Sequence, residues 1–568
     1  MTVIRALATA GAALALMGAS KPAPPVPAYE LSPEIAGGGL QALDVTLRFR
    51  AGPDGKVLLE LPQGNAGVTE AWRYLRDLKV EGATAVTAPK PSQRLIEARP
   101  GAPLTVTYRV VSAYDREPQP GEADSYAPLI RPTRFWAYGE ALFAYPHDAT
   151  AATFRWTGAP ADFGFASDLE GPAGKAVSVD DLVESVSVGG SDLKLYRRDL
   201  AGAPVRVAVL GQFDFADQAF VDMSMKVIAG ERAFWRGKEG PFLVVAAPFP
   251  SRGGLSIHGE GRAGAFAIQA GADSPLGYMK GLLAHEYFHT WNPKRLGGLP
   301  EGDAERAGYW FSEGFTDFYA RRLSLRSGLY DLDAFVGDWN TMLRSYAASP
   351  SRGAPNARVV ADFWKDPDVQ QLPYRRGAIL AAIWDRRLRV RSGGKAGLDD
   401  LIHAMRDRAA KLGPKSPKAP QLFIATARRF GLDVRADLER FVQRGAAPSL
   451  PAGAFGACVS VATRQAPVFE RGYRLETRDG VRVLTKVDSG SAAYAAGLRD
   501  GMIFRRLSDI SNDPGKRLEV TVGEPGQERT IGYLPAGKAR VSVQQLEVSN
   551  ALSPAARDAC AKALAATR

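Results

Sequence analysis

The residues whose types and spacing could do chemistry are His285, Glu286 and His289, in the stretch Ala284-His285-Glu286-Tyr287-Phe288-His289-Thr290. Two histidines four apart stand one above the other on a single helix face, where both imidazoles can reach one divalent ion. A zinc held by two neutral imidazoles and a carboxylate keeps a position open for water and lowers that water's pKa toward ~7. Glu286, one step round the helix from His285, is placed to take the proton. The plainer alternative is two polar positions on an amphipathic helix. Only five histidines occur in 568 residues, and chance would supply on the order of 0.002 copies of H-E-x-x-H in such a chain.

A third ligand is needed. Asn292 stands three residues past His289 and no histidine follows until His403, so a nearby third histidine is excluded. The segment Trp310-Phe311-Ser312-Glu313-Gly314-Phe315-Thr316-Asp317-Phe318-Tyr319 is apolar at helical spacing, with Glu313 and Asp317 four apart on one face. A second helix of this kind can bring Glu313 to the metal. Asp317, one turn on, is suited to accept the spare ring N–H of His285 or His289. Solvation explains such a carboxylate pair poorly when Trp310, Phe311, Phe315 and Phe318 surround it.

Several kinds of element must position these groups. From about Tyr29 to Tyr114 the chain alternates as strands do: Leu43, Val45, Leu47 and Phe49 share a face, and Val57 to Leu61 and Leu104 to Val110 repeat the pattern. Trp136, Tyr138, Phe143 and Tyr145 are expected at the seam with the next domain. A helix bearing Phe220, Met223 and Val227 precedes buried strands at Pro241–Ala247 and Gly264–Ala270, the second expected to lead to the histidine helix along the metal cleft. Beyond Glu305 the chain reads as mostly helical to about Gln443, with amphipathic stretches at Phe335–Leu343, Gly377–Val390 and Leu398–Ala410.

With 45% hydrophobic and 23% charged residues the chain is an ordinary globular protein, long enough for about three domains. Met1 to Ser20 carries Arg5, an apolar run from Ala6 to Met17 and small residues before Lys21 and a proline-rich stretch, the pattern of a Sec-type signal peptide with no lipid-anchoring cysteine. A periplasmic or secreted location is therefore expected. No other apolar run approaches membrane-spanning length, so no stable membrane insertion is expected. Cys458 and Cys560, the two cysteines, suit an oxidising compartment and are expected to pair. The net charge of +11 is carried by scattered arginines without interleaved aromatics, which argues against a nucleic-acid partner.

The extended block His285-Glu286-Tyr287-Phe288-His289-Thr290-Trp291-Asn292-Pro293-Lys294-Arg295-Leu296, followed by Ser312 to Tyr319, resembles the glycyl aminopeptidase family of gluzincin metallopeptidases with a C-terminal PDZ domain. The resemblance implies a thermolysin-like catalytic fold, one catalytic Zn2+ on His285, His289 and Glu313, and Glu286 as general base. It also implies a tyrosine that polarises the scissile carbonyl. Leu372-Pro373-Tyr374-Arg375-Arg376-Gly377-Ala378 matches the family's Tyr-x-Lys-Gly segment, which makes Tyr374 the candidate and places Arg376 beside the substrate. A developing oxyanion needs such a donor from across the cleft.

The family's Gly-Gly-Leu-Glu-His segment, whose Glu is expected to bind a substrate α-amine, stands here as Gly253-Gly254-Leu255-Ser256-Ile257-His258-Gly259-Glu260. A hydroxyl at Ser256 cannot pair with an ammonium as a carboxylate does, which leaves Glu260 to take over. Gly253, Gly254, Ser256, His258, Glu260 and Arg376 are the substrate-binding candidates. Further on, Glu470 to Leu475 and Gly490-Ser491-Ala492-Ala493-Tyr494-Ala495-Ala496-Gly497-Leu498-Arg499-Asp500-Gly501 resemble a PDZ domain, which implies a peptide or C-terminal segment bound along a strand edge. Cys560 is expected to pin the Ala-rich tail to that domain.

The expected protein is multidomain α+β: signal peptide 1–20, β-rich domain 21–165, zinc peptidase domain 166–450, and PDZ domain with a helical tail 451–568. The expected function is hydrolysis of peptides, most simply as an aminopeptidase. Two alternatives stand beside it: an endopeptidase without amine recognition, and a PDZ peptide-binding factor with a vestigial peptidase site.

Overall fold

A computed structural model describes residues 26–565, apart from 65–69, 118–126, 172–174, 201, 238, 250–256, 479–480 and 509–511. The segment expected as a leader, 1–20, and Gly253, Gly254 and Ser256 lie outside the described residues.

Alternation in the N-terminal part produces sheets with one buried face. Gly39–Arg50 pairs antiparallel with Ala28–Ala36 on one side and Pro103–Val110 on the other, and Leu43, Val45, Leu47 and Phe49 all enter one apolar core. That unit extends past the expected boundary at 165, because Val186–Gly190 pairs with Arg134–Tyr138. The seam is half as expected. Trp136 and Tyr138 pack with Leu243, Val245 and Ala267 of the next unit, whereas Phe143 belongs to the first core.

The second unit starts with a sheet ordered Lys194–Leu200, Ala203–Val209, Phe242–Phe249, Ala265–Gly271 and Ile257–Gly261. The inner strands run parallel to one another and are apolar but for Arg206 and Gln269, as burial on both faces favours. The last strand runs antiparallel to its neighbour and leaves its other edge unpaired among the described residues. The histidine helix, Leu276–Phe288, follows after Pro275 and buries Met279, Leu283 and Tyr287, each four residues apart, together with Ala284 and Phe288.

Thirteen of the 18 residues of the carboxylate helix, Tyr309–Arg326, are buried, so it is the central rod of the helical half and not a surface helix. The tyrosine helix, Leu372–Arg391, lies directly on it. They approach at Gly314 and Gly377: a methyl on Gly377 would collide with the Trp310 carbonyl, and one on Gly314 with the Gly377 backbone. Glycine at both positions is a packing requirement here.

The expected boundary near 451 is not a break in packing. Strands Val459–Phe469 and Ala536–Val548 form an antiparallel ribbon whose Val459, Ala466, Val543 and Leu546 join the core of the helical half. Asn340, on helix Leu332–Ala348, extends the pairing by exchanging two hydrogen bonds with the backbone of Leu546. Only the intervening stretch has a core of its own, built from Tyr473, Leu484, Leu498, Phe504, Val520 and Tyr533 among others. The Arg344–Asp513 ion pair, 2.5 Å, ties this small unit to helix Leu332–Ala348. Cys458 and Cys560 form a disulfide, and helix Pro554–Ala565 packs on the helical half, where Cys560 and Ala565 enter its core. The tail is thus fastened there and not to the small unit, because its buried face finds its apolar partners in the larger core.

Candidate metal centre and cleft

His285 Nε2 and His289 Nε2 lie 3.1 Å apart, and Glu313 Oε2 is 3.4 Å from the first and 3.3 Å from the second. The three atoms lie within 4.8 Å of one another. Both imidazoles are oriented from behind. His285 Nδ1–H donates to Asp317 Oδ1 at 3.0 Å, and His289 Nδ1–H donates to the Asn292 carbonyl at 2.7 Å. Each Nε2 lone pair is therefore left facing the common point, and a donor set of two nitrogens and one carboxylate oxygen fits zinc.

Asp317 is itself held by Arg321 at 2.9 Å, and Arg321 reaches Asp338 at 2.5 Å. Asn292 reaches the other way. Its side-chain N–H group donates to the Ser312 carbonyl at 2.9 Å and the Thr316 hydroxyl at 3.0 Å, so one residue links the end of the histidine helix to the carboxylate helix. Neither residue type nor spacing flags Asn292, Ser312 or Arg321 as part of the site; only the extended block around Asn292 hints at it.

Burial disfavours the charged form of His285, but hydrogen bonds to Asp317 and Glu313 outweigh it and raise its pKa well above the ordinary value. His289 is raised in the same way, with Glu313 overcoming burial. Burial would raise Glu313 and Asp317, yet the histidines, and Arg321 for Asp317, pull both well below the carboxylate range. In the metal-free cluster the two imidazoles and the two carboxylates thus stabilise one another's charges, and a metal would have to displace the imidazole protons.

Glu286 is half-buried beside the ligands, and the Gly261 N–H of the edge strand donates to its Oε2 at 3.1 Å. A side chain at Gly261 would press on that oxygen, so glycine there lets the strand approach the carboxylate closely. The Tyr374 ring stacks on His285, with centroids 5.7 Å apart. Burial, then the Glu313 and Glu286 carboxylates, push its phenol up, so it stays protonated and available as a donor.

Two open chambers meet at His285, Glu286 and Tyr374. One, of 710 Å³, takes in Glu260, Glu313 and Tyr309; the other, of 680 Å³, takes in His258, Asp317 and Gln371. Glu260 and His258 thus line the cleft. Arg376 does not: it is 2% exposed and its guanidinium donates to the carbonyls of Arg352 and Ala354. It sits two positions past Tyr374, and on a helix that offset turns it away from the cleft and into the core.

The family model described as M61 glycyl aminopeptidase matches residues 278–365, a segment that carries both histidines, Glu286, Glu313 and Asp317. Over the whole chain the fold is similar to that of an aminopeptidase N family protein from Idiomarina loihiensis, with a TM-score of 0.66 at 17% identity, covering 94% of this chain and 100% of that one. An M1 zinc metallopeptidase from Deinococcus radiodurans aligns with a TM-score of 0.44 at 18% identity, over 76% of this chain and 96% of that one. A comparison with curated proteins found no match.

Proposed function

We propose that the protein is a zinc metallopeptidase that hydrolyses peptides from a free amino terminus. The observation that carries this reading is the convergence of His285, His289 and Glu313 on one point with Glu286 and Tyr374 beside it. Zinc held there would supply Lewis acidity toward a peptide carbonyl and make a water more acidic. Glu286, oriented by the Gly261 N–H, accepts the proton from the attacking water and delivers it to the departing amine. Tyr374 donates its phenolic hydrogen to the oxygen that gains charge. A substrate strand added to the outer edge of Ile257–Gly261, where no strand pairs among the described residues, would run beside Glu286, and Glu260 on that strand is the carboxylate nearest in sequence to the missing family Glu at position 256. We assign it to the α-amine.

The presence of a chamber on both sides of Glu286 and Tyr374 favours the second reading, an endopeptidase. Peptide capture by the small unit, in the manner of a PDZ domain, and export through a leader at 1–20 complete the proposal; the disulfide supports an oxidising compartment. Among the described residues no helix is long and apolar enough to cross a membrane.

The test is hydrolysis of a free peptide and its N-acetylated twin by wild type and Glu286→Gln, with metal assayed on both. Aminopeptidase action requires cleavage of the free peptide alone, reduced roughly 10²–10⁴-fold in a variant that keeps its zinc. Equal cleavage of both twins makes it an endopeptidase, and no cleavage by zinc-loaded wild type rejects the peptidase.

A further inference from the structure

Trp364 is 67% exposed, the highest value among the exposed large apolar residues, while the other eight tryptophans are buried or half-buried. It does not stand on an indifferent surface. It lines the larger chamber together with Phe363 and Tyr309; Phe363 packs edge-on to Trp364 at 4.8 Å and on Tyr309 at 4.8 Å. Its short loop is fixed at both ends. Asp366 caps the following helix Pro367–Gln370, and Arg358 binds Asp366 at 3.0 Å. An indole face is thus held in water at the mouth of a catalytic cleft.

The charge of the same chamber runs against that of the molecule. Seven glutamates line it against one arginine and one lysine, so the chamber stays negative even with the two charges of a zinc ion at the metal point, in a chain whose net charge is +11. Glu140 and Glu184 are engaged by Arg262 and Lys294, and Glu286 and Glu313 belong to the metal point. Among the described residues neither Glu301 nor Glu305 is matched by a cationic side chain in the chamber. Glu305 hydrogen-bonds Tyr309, which places it on the aromatic side of the chamber. An aromatic face beside carboxylates attracts a cation and offers nothing to an anion, and a walled cleft concentrates that field.

We propose that Trp364, Glu301 and Glu305 form a subsite for a cationic side chain, so that the enzyme selects peptides carrying lysine or arginine at the residue seated in this chamber. The inference rests on the peptidase reading for its substrate. It separates from that reading in the test, because binding can be measured without turnover.

Peptides with lysine, norleucine or glutamate placed in turn at each of the first three positions are titrated into zinc-loaded Glu286→Gln by calorimetry, and their kcat/KM is measured with wild type. At one position lysine is expected to exceed norleucine on the order of tenfold in both measurements, with glutamate weakest. Trp364→Ala and the double variant Glu301→Gln, Glu305→Gln should each bring the lysine-to-norleucine ratio toward one, while Trp364→Phe retains part of it. Equal binding of the lysine and norleucine peptides at all positions, or a preference that survives in those variants, overturns the subsite. Selective binding without turnover by wild type would uphold the subsite and reject the peptidase.

Discussion

Around the histidines, three helices from separate parts of the chain meet within one large apolar core, whereas the stretch from Tyr473 to Tyr533 closes a core of its own and is held by a two-stranded ribbon and the Arg344–Asp513 pair. His289 is oriented locally by the Asn292 carbonyl, but the other contacts that set the first region cross between elements: Asn292 to Ser312, His285 to Asp317, Gly377 against Trp310. The second region supports its strands locally. The difference teaches where a small change should be felt. In a close-packed core one methylene propagates, while a satellite unit can loosen by itself.

The largest effect is expected at Asp317. Replacing it by asparagine removes the charge behind His285 and should weaken zinc affinity about 10–100-fold, read by competition with a chelator; unchanged affinity would mean that the helix backbone alone sets the ring. Next, Gly377→Ala should cost ~1–3 kcal/mol of stability and lower kcat as well, since the tyrosine helix must move away from Trp310. Thermal melts and kinetics check this together, and a loss of stability with kcat intact would uncouple Tyr374 from the packing.

A third expectation concerns pH. In the metal-free protein His285 and His289 have raised values and Glu313 and Asp317 lowered ones, against unfolded values of roughly 6.5 and 4. Their mutual stabilisation is full between those two limits. It fades as pH rises through the raised histidine values, and also as pH falls through the lowered carboxylate values. Zinc competes with the histidine protons, so the rise in Tm on adding zinc should be larger at pH 8 than at pH 6. Melts with zinc and with chelator at both pH values would show it, and a reversed order would deny that the imidazoles hold protons when metal-free. The smallest effect on catalysis is expected from Val520→Ala, fully buried in the small unit. It should loosen that unit while changing kcat/KM on short peptides by less than about twofold; a larger loss would show that the two regions are not independent.

Much of the site was legible because its chemistry is local. His285 and His289 share a helix face by spacing alone, and Glu313 with Asp317 does the same on the carboxylate helix. The alternation at Leu43 to Phe49 was equally plain, since a half-buried strand shows its face in every second residue. What the sequence concealed was long-range. Arg376 looked like a cleft residue because it follows Tyr374, and only the contact between the carboxylate and tyrosine helices decides that it points inward. The extent of the last unit was hidden for a similar reason: the expected domain 451–568 groups Val459–Phe469 and Ala536–Val548 with the stretch between them, yet their apolar sides complete the core of another unit.

Cys458 and Cys560, 102 residues apart, give the covalent chain a closed ring that contains the ribbon and the small unit. A single proteolytic cut anywhere within that ring opens a loop and releases nothing. The C-terminal helix stays joined to the rest of the polypeptide, and the two fragments separate on a denaturing gel only after reduction.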